Sequence, residues 1–98
     1  MYEYIEGVLK EKNPAYCVIE TGGFGYFIQI SLTTYSQLEP LTQVKVYLHQ
    51  VVREDAHLLF GFYAKQEREM FRLLLTVSGI GANTARMMLA SMSADDIR

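Results

Sequence analysis

The spacing of apolar residues changes period once along this chain, near Tyr63, and that change limits the fold more than any single motif. Before it, Val44, Val46 and Leu48 alternate with Lys45, Tyr47 and His49, the two-residue repeat of a half-buried strand. After it, Met70, Phe71, Leu74 and Leu75 follow helical spacing, with Lys65, Glu69 and Arg72 on other faces. Ala85, Met88, Leu89 and Met92 then repeat at i, i+3, i+4 and i+7, which predicts a second amphipathic helix. A chain of 98 residues has room for one modest core and a small appended unit. The expected order is therefore a β unit over 1–63 and a helical unit over 64–98.

Within the β unit, turn signals divide the chain into five short strands. Tyr4 to Lys12 is rich in β-formers, with Gly7 placed where a strand bends or bulges. Asn13-Pro14-Ala15 is a turn, and Tyr16 to Thr21 is the second strand. Gly22-Gly23 supplies the positive φ values of a tight hairpin, after which Phe24 to Ile30 returns as a third strand, kinked at Gly25. Ser31 to Leu38 is a short excursion of one or two helical turns capped by Ser31 and ended by Glu39-Pro40. Val44 to Val52 and Leu58 to Tyr63 complete the set, separated by Arg53-Glu54-Asp55-Ala56-His57. Five strands with a helical excursion after the third suit a closed Greek-key barrel of the OB type; a two-sheet sandwich usually needs about seven. The fold class is β followed by α.

The two helices are joined by Val77-Ser78-Gly79-Ile80-Gly81-Ala82, too short for anything but a tight hairpin, and cannot bury both apolar faces alone. They need the barrel or further helices. Ser93-Ala94-Asp95-Asp96 fits a capping box with Ser93 as N-cap, so a third helix is expected to start there. An isolated turn of helix is unstable, so the chain reads as the front portion of a longer protein.

Composition excludes several classes. No apolar run approaches the ~20 residues of a membrane span, and the acidic start Met1 to Glu6 does not resemble a secretory signal. The single Cys17, beside Val18 and Ile19, reads as a small buried hydrophobe in a reducing compartment, so a cytoplasmic location is expected. The net charge of −2 argues against a simple nucleic-acid binder, since phosphate affinity comes mainly from Lys and Arg. The halves differ: 1–63 carries four basic against seven acidic residues, whereas 64–98 carries five against four. Phosphate contact is expected in the second half.

Few residues are arranged for chemistry. His49, His57 and Cys17 lack metal-ligand spacing, and both histidines read as sheet or turn residues. No G-x-x-x-x-G-K-[ST] and no G-x-S-x-G is present. Gly79-x-Gly81 opens like a dinucleotide fingerprint, but its sixth position is Thr84 and a helical segment precedes it. No metal, cofactor or catalytic residue is therefore expected. The same turn, of the form h-x-G-h-G with a helix starting near Asn83, describes a helix-hairpin-helix. Its glycines let backbone N–H groups approach a phosphate, and the next helix adds its unpaired donors. The bland reading is a turn that needs glycine for geometry alone. Glu54 and Asp55 are either solvated turn residues or acids that hold phosphates away from a centre. Tyr26, Tyr47, Phe60 and Phe62 are either core residues or a base-stacking face.

Taken in order, Ile19-Glu20-x-Gly22-Gly23-x-Gly25-Tyr26, Val51-Val52-Arg53-Glu54-Asp55-Ala56-x-Leu58-Leu59-x-Gly61-Phe62, Lys65-Gln66-Glu67-Arg68, Leu74-x-x-x-Ser78-Gly79-Ile80-Gly81 and Ser91-Met92-Ser93 resemble the Holliday-junction RuvA family. The resemblance runs from about Ile5 to Ser93. It implies an OB barrel, a helical domain with two helix-hairpin-helix motifs, and a C-terminal domain that docks on the RuvB motor. It implies a homotetramer holding four-way junction DNA open for recombination and repair, with the RuvC resolvase as a further partner and the ATPase activity in RuvB. On that view Glu54 and Asp55 form an acidic pin, and Arg53, Ser78, Gly79, Gly81, Ala82 and Asn83 bind DNA. The sequence departs from the family pattern where Asn83 replaces a basic residue and where Tyr4 and Glu6 stand at often-basic positions. Two other classes stay open from the residues themselves. One is an OB-fold assembly module that touches no DNA, suggested by the acidic barrel half; the other is a small nucleotide-using enzyme, resting on the G-x-G alone.

Overall fold

The computed structural model describes residues 2–91. Met92, expected to be the last apolar residue of the second long helix, and the helix start at Ser93 lie outside the described residues.

Five strands, β1 (Tyr4–Lys12), β2 (Tyr16–Thr21), β3 (Phe24–Ile30), β4 (Gln43–Val52) and β5 (His57–Phe62), close into a barrel in the order β1-β2-β3-β5-β4. Helix α1 (Leu32–Leu38) lies between β3 and β4, and α2 (Lys65–Leu75) and α3 (Ala82–Ala90) follow the barrel. This is the OB-type β-then-α architecture, with β5 starting one residue earlier than its sequence pattern suggests. Strand β1 serves two neighbours: Tyr4 to Val8 pair with β4, and Val8 to Lys12 pair with β2. The corner between them is a bulge at Lys10, where the register with β2 shifts between Leu9 and Glu11. The bend predicted at Gly7 is thus three residues further on. Gly7 matters for a different reason. A Cβ there would strike the Glu20 carbonyl, so the missing side chain lets two strands approach. The kink predicted at Gly25 is also absent, since the β2–β3 ladder runs without a shift from Tyr16↔Gln29 to Thr21↔Phe24. Gly22 and Gly23 do turn the hairpin, with φ of +60° and +83°.

Strand parity sorts the side chains into two cores. The inward set, including Ile19, Ile28, Val46 and Leu48, fills the barrel together with Cys17 and with Leu38 of α1. Burial pushes the Cys17 thiol up to about 12. On β5 the inward position at Gly61 has no room for a side chain, because a Cβ would stand 2.5 Å from Ile28 and 3.3 Å from Val46. Phe60 and Phe62 therefore face out, where Phe71 of α2 and Ala85 and Leu89 of α3 cover them. Their rings meet Phe71 at centroid distances of 5.2 and 4.9 Å. They are core residues. Met88, by contrast, stays 39% exposed.

Two charged residues in the first turn of α2 fix that helix to the barrel. Glu67 and Arg68 are each only 1% exposed. The Glu67 carboxylate accepts from the hydroxyls of Ser31 and Thr34, the latter at 2.7 Å. Both hydroxyls also accept from backbone: Ser31 caps α1 through the Thr34 amide (3.1 Å), and Thr34 receives the Tyr63 amide (3.3 Å). Burial raises the Glu67 pKa, against the pull of these hydroxyls. Arg68 donates to the Glu3 carbonyl at 2.9 Å and to the Glu3 carboxylate at 3.1 and 3.2 Å. It also reaches Glu69 at 3.2 Å and the Leu48 carbonyl at 3.4 Å. One turn on, Arg72 Nε donates to His49 Nδ1 at 3.1 Å, leaving the imidazole proton on Nε2.

Glu67→Ala leaves two buried hydroxyls without their acceptor and opens a void. It is therefore expected to lower stability by about 2–4 kcal/mol in urea unfolding, with Glu67→Gln costing less. A second expectation concerns pH. Burial, then Arg72 and Arg68, depress the His49 pKa below its usual 6.5. The folded state therefore binds fewer protons there than the unfolded chain. Its contribution is full above 6.5 and is lost as pH falls through the lower folded value, so stability falls with acidification below about pH 7. His49→Gln, which keeps an acceptor for Arg72, should flatten that part of a pH–stability profile.

Candidate nucleic-acid interface

The bend between α2 and α3 is built by two different glycine geometries. Gly79 has φ of +86°, the left-handed region that lets the chain reverse after Ser78. Gly81 is extended (φ −91°, ψ 176°) and is the N-cap of α3, lacking a side chain that could satisfy the helix's first amides. Within the bend, Val77 N–H donates to the Leu74 carbonyl and Ile80 N–H to the Val77 carbonyl. Among the described residues, no acceptor stands against the amides of Ser78, Gly79, Gly81, Ala82 or Asn83. Ser78, Gly79, Gly81 and Asn83 are exposed, whereas Ile80 and Ala82 are partly buried against the Phe60–Phe71 core. The apolar residue between the glycines thus anchors the turn while the amides on either side face out. That arrangement suits an anion at the positive end of a helix.

Nothing in its sequence context marks Arg86, yet it ties this turn to the barrel. It donates to the Ala15 carbonyl of the β1–β2 turn at 3.0 Å and to Asn83 Oδ1 at 3.1 Å. The Asn83 side chain is therefore held by Arg86, and its backbone amide is the donor it offers outward. Burial lowers the Arg86 pKa, although the guanidinium stays charged.

Arg53, Glu54 and Asp55 sit elsewhere, at the tip of the β4–β5 hairpin. The ladder ends with Val52↔His57, and Arg53 and Ala56 exchange backbone bonds of 2.7 and 3.4 Å. Glu54 and Asp55 form the two-residue tip, both exposed and, like every described non-glycine residue, at negative φ. Their backbone is thus not the primed turn common in two-residue hairpins. Nothing bonds either carboxylate among the described residues, so both present unneutralised charge. The bend and the tip are separate features on different elements.

No group of three or more His, Cys, Asp or Glu among the described residues is placed to hold a metal ion. His49 lies on β4 against Phe71 and His57 opens β5. No helix of the described residues is long and apolar enough to cross a membrane.

The family model for the RuvA N-terminal domain matches residues 1–61. The chain belongs to the RuvA family. It is 52% identical over 97 residues to the Holliday junction branch migration complex subunit RuvA of Christiangramia forsetii, covering 99% of this chain and 50% of that protein. The proteins of the same name from Bacteroides fragilis and Parabacteroides distasonis are 50% and 52% identical over the same length, with 48% and 50% of their chains covered. This RuvA-family chain therefore spans about half the length of the curated relatives it matches. The family model ends before α2, whereas the pairwise matches run through the glycine bend.

Gly79 offers a direct check on the bend. A side chain there meets open space, so Gly79→Ala is expected to cost only backbone strain, about 1 kcal/mol in chemical unfolding. A much larger loss would mean that the turn is packed and not presented to solvent.

Proposed function

We propose that this chain is the junction-binding front half of a RuvA subunit, which binds four-way DNA through its backbone and performs no chemistry itself. The observation that carries this reading is the exposed Gly79–Gly81 bend with open amides leading into α3. Ser78, Gly79, Gly81, Ala82 and Asn83 hold a phosphate through N–H groups and the helix terminus. Such contacts ignore base identity, which fits a protein that must act on any sequence. The names of the relatives, each a subunit of a Holliday junction branch migration complex, support the same substrate.

Glu54 and Asp55 act as a pin. Their exposed charge repels phosphates and keeps strands apart at the crossover, while Arg53 at the base of the tip meets the backbone alongside. Four copies are needed, because each subunit offers few phosphate contacts and a symmetric tetramer multiplies them. In this reading ATP is used by the RuvB motor, docked through a region outside this chain, and RuvC joins the same junction. The acidic barrel half, net −3 over 1–63, then serves to keep DNA off the barrel except at the centre.

The test is a gel-shift series with the full-length protein on a four-way junction and on linear duplex. Preference for the junction is expected. Replacing Gly79 and Gly81 both by valine should weaken junction binding at every salt concentration while leaving the salt slope nearly unchanged, because the slope counts phosphates neutralised by cationic side chains and the bend offers neutral amides. Charge reversal at the tip (Glu54→Lys with Asp55→Lys) is expected to tighten DNA binding while disturbing the open junction geometry. Equal affinity for junction and duplex in the unaltered protein would refute the proposal.

A further inference from the structure

The topology puts the acidic hairpin on the rim of an open barrel mouth. β1 begins there at Tyr4, β2 ends at Thr21, β3 begins at Phe24, β4 ends at Val52 and β5 begins at His57. Helix α1 connects β3 to β4 across the opposite end, where its Leu38 joins the barrel core. Among the described residues no helix plugs the mouth in this way, and the wall beside it is incomplete. Parallel strands β3 and β5 pair only at Gln29↔Phe60 and Ile30↔Gly61, so their first residues, nearest the mouth, are unpaired with each other.

A cavity of about 170 Å³ occupies this mouth, lined by residues that include Tyr2, Thr21, Tyr26, Leu48 and Leu59. Parity turns Tyr26 and Leu59 inward: Tyr26 pairs with buried Ile19, and Leu59 lies two residues from inward-facing Gly61. Tyr2, 52% exposed, stands at the entrance. The volume is below the ~300 Å³ of pockets that hold drug-sized molecules, so it admits one ring system and not a whole nucleotide. Among the described residues no charged side chain lines it, which disfavours a phosphate or any ionic ligand. Its aromatic and aliphatic walls suit a flat neutral ring. The hydroxyls of Tyr26 and Thr21 both donate and accept, so they tolerate any hydrogen-bonding edge.

We propose that this cavity receives one unpaired nucleobase from the strand crossover. The charge pattern favours that occupant. Leu59 lies four residues past Asp55 along β5, roughly 13 Å from the tip at strand spacing. Acids at the rim repel the phosphate backbone but do not repel a neutral base, so a strand held off by the tip is free to turn a base inward. Bases at a crossover have lost a stacking neighbour, which makes extrusion less costly than in continuous duplex. Stacking on tyrosine is tolerant of sequence, so a crossover passing through any sequence can use the same pocket. The inference rests on the junction-binding reading above and adds to it a ligand class and a site.

The experiment is photo-cross-linking of the full-length protein to four-way junctions carrying 5-iodouracil, either at the crossover or well out on one arm. Cross-links from the crossover position are expected in peptides containing Tyr2 or Tyr26, and those from the arm position are not. Tyr2→Ala should cut the crossover yield by about fivefold or more, while Tyr2→Phe, which keeps the ring, retains it. Tyr2 is exposed, so the barrel should fold in both variants, which circular dichroism checks. Crossover cross-links that map elsewhere, or a yield unchanged in Tyr2→Ala, would overturn the base pocket while junction preference persists. Loss of junction preference over duplex in the unaltered protein would instead remove the junction reading, and the pocket with it.

Discussion

A pair of adjacent, fully buried charges at the start of α2 holds the two halves of this molecule in one arrangement. Glu67 reaches α1 and its cap through Thr34 and Ser31, and Arg68 reaches the residue before β1, Glu3, and the Leu48 carbonyl of β4. Neither charge stabilises by burial itself; taking ions out of water is costly, and the bonds around the pair offset that cost even though Arg68 Nε has no partner among the described residues. What the pair contributes is direction. An apolar face alone lets a helix slide or rotate on a barrel, whereas two opposite charges with fixed partners on different walls define both its azimuth and its height. The Phe60–Phe62–Phe71 contact then supplies the apolar burial.

That fixed direction is what gives the glycine bend its meaning. α2 ends at Leu75, and the chain reverses through Gly79 before α3 returns over the same aromatic cluster. With α2 set by its first turn and α3 tied to the β1–β2 turn by Arg86, the bend between them is held from both sides. Its amides are therefore presented by a stiff frame. Pre-organised donors bind an anion with little ordering cost.

How much of this is legible in the sequence depends on where information lies along the chain. The strands are, because alternation such as Val44, Val46, Leu48 records one face of one strand, and the Gly22-Gly23 hairpin requires its positive φ locally. The Gly79-Ile80-Gly81 bend and the Glu54-Asp55 tip are visible for the same reason. Gly7 misleads because a strand glycine signals either a bulge or a close approach, and only the neighbouring strand decides which. The buried Glu67 and Arg68 escape notice because charged residues at a helix start ordinarily read as solvated. The signal is nevertheless present: Glu67 falls four residues before Phe71 on the apolar stripe, and Arg68 three before it. The barrel-mouth cavity has no local signature, since its walls come from separate strands that only the closed topology brings together.

The lone thiol carries one more implication. Cys17 is completely shielded inside the barrel, and its sulfur is held protonated far above neutral pH. Because only the thiolate attacks electrophiles, an alkylating reagent finds no target until the staves of the barrel separate. The molecule thus carries its own built-in clock for whole-barrel opening, one that ticks without any added label and is separate from anything that happens at the exposed bend.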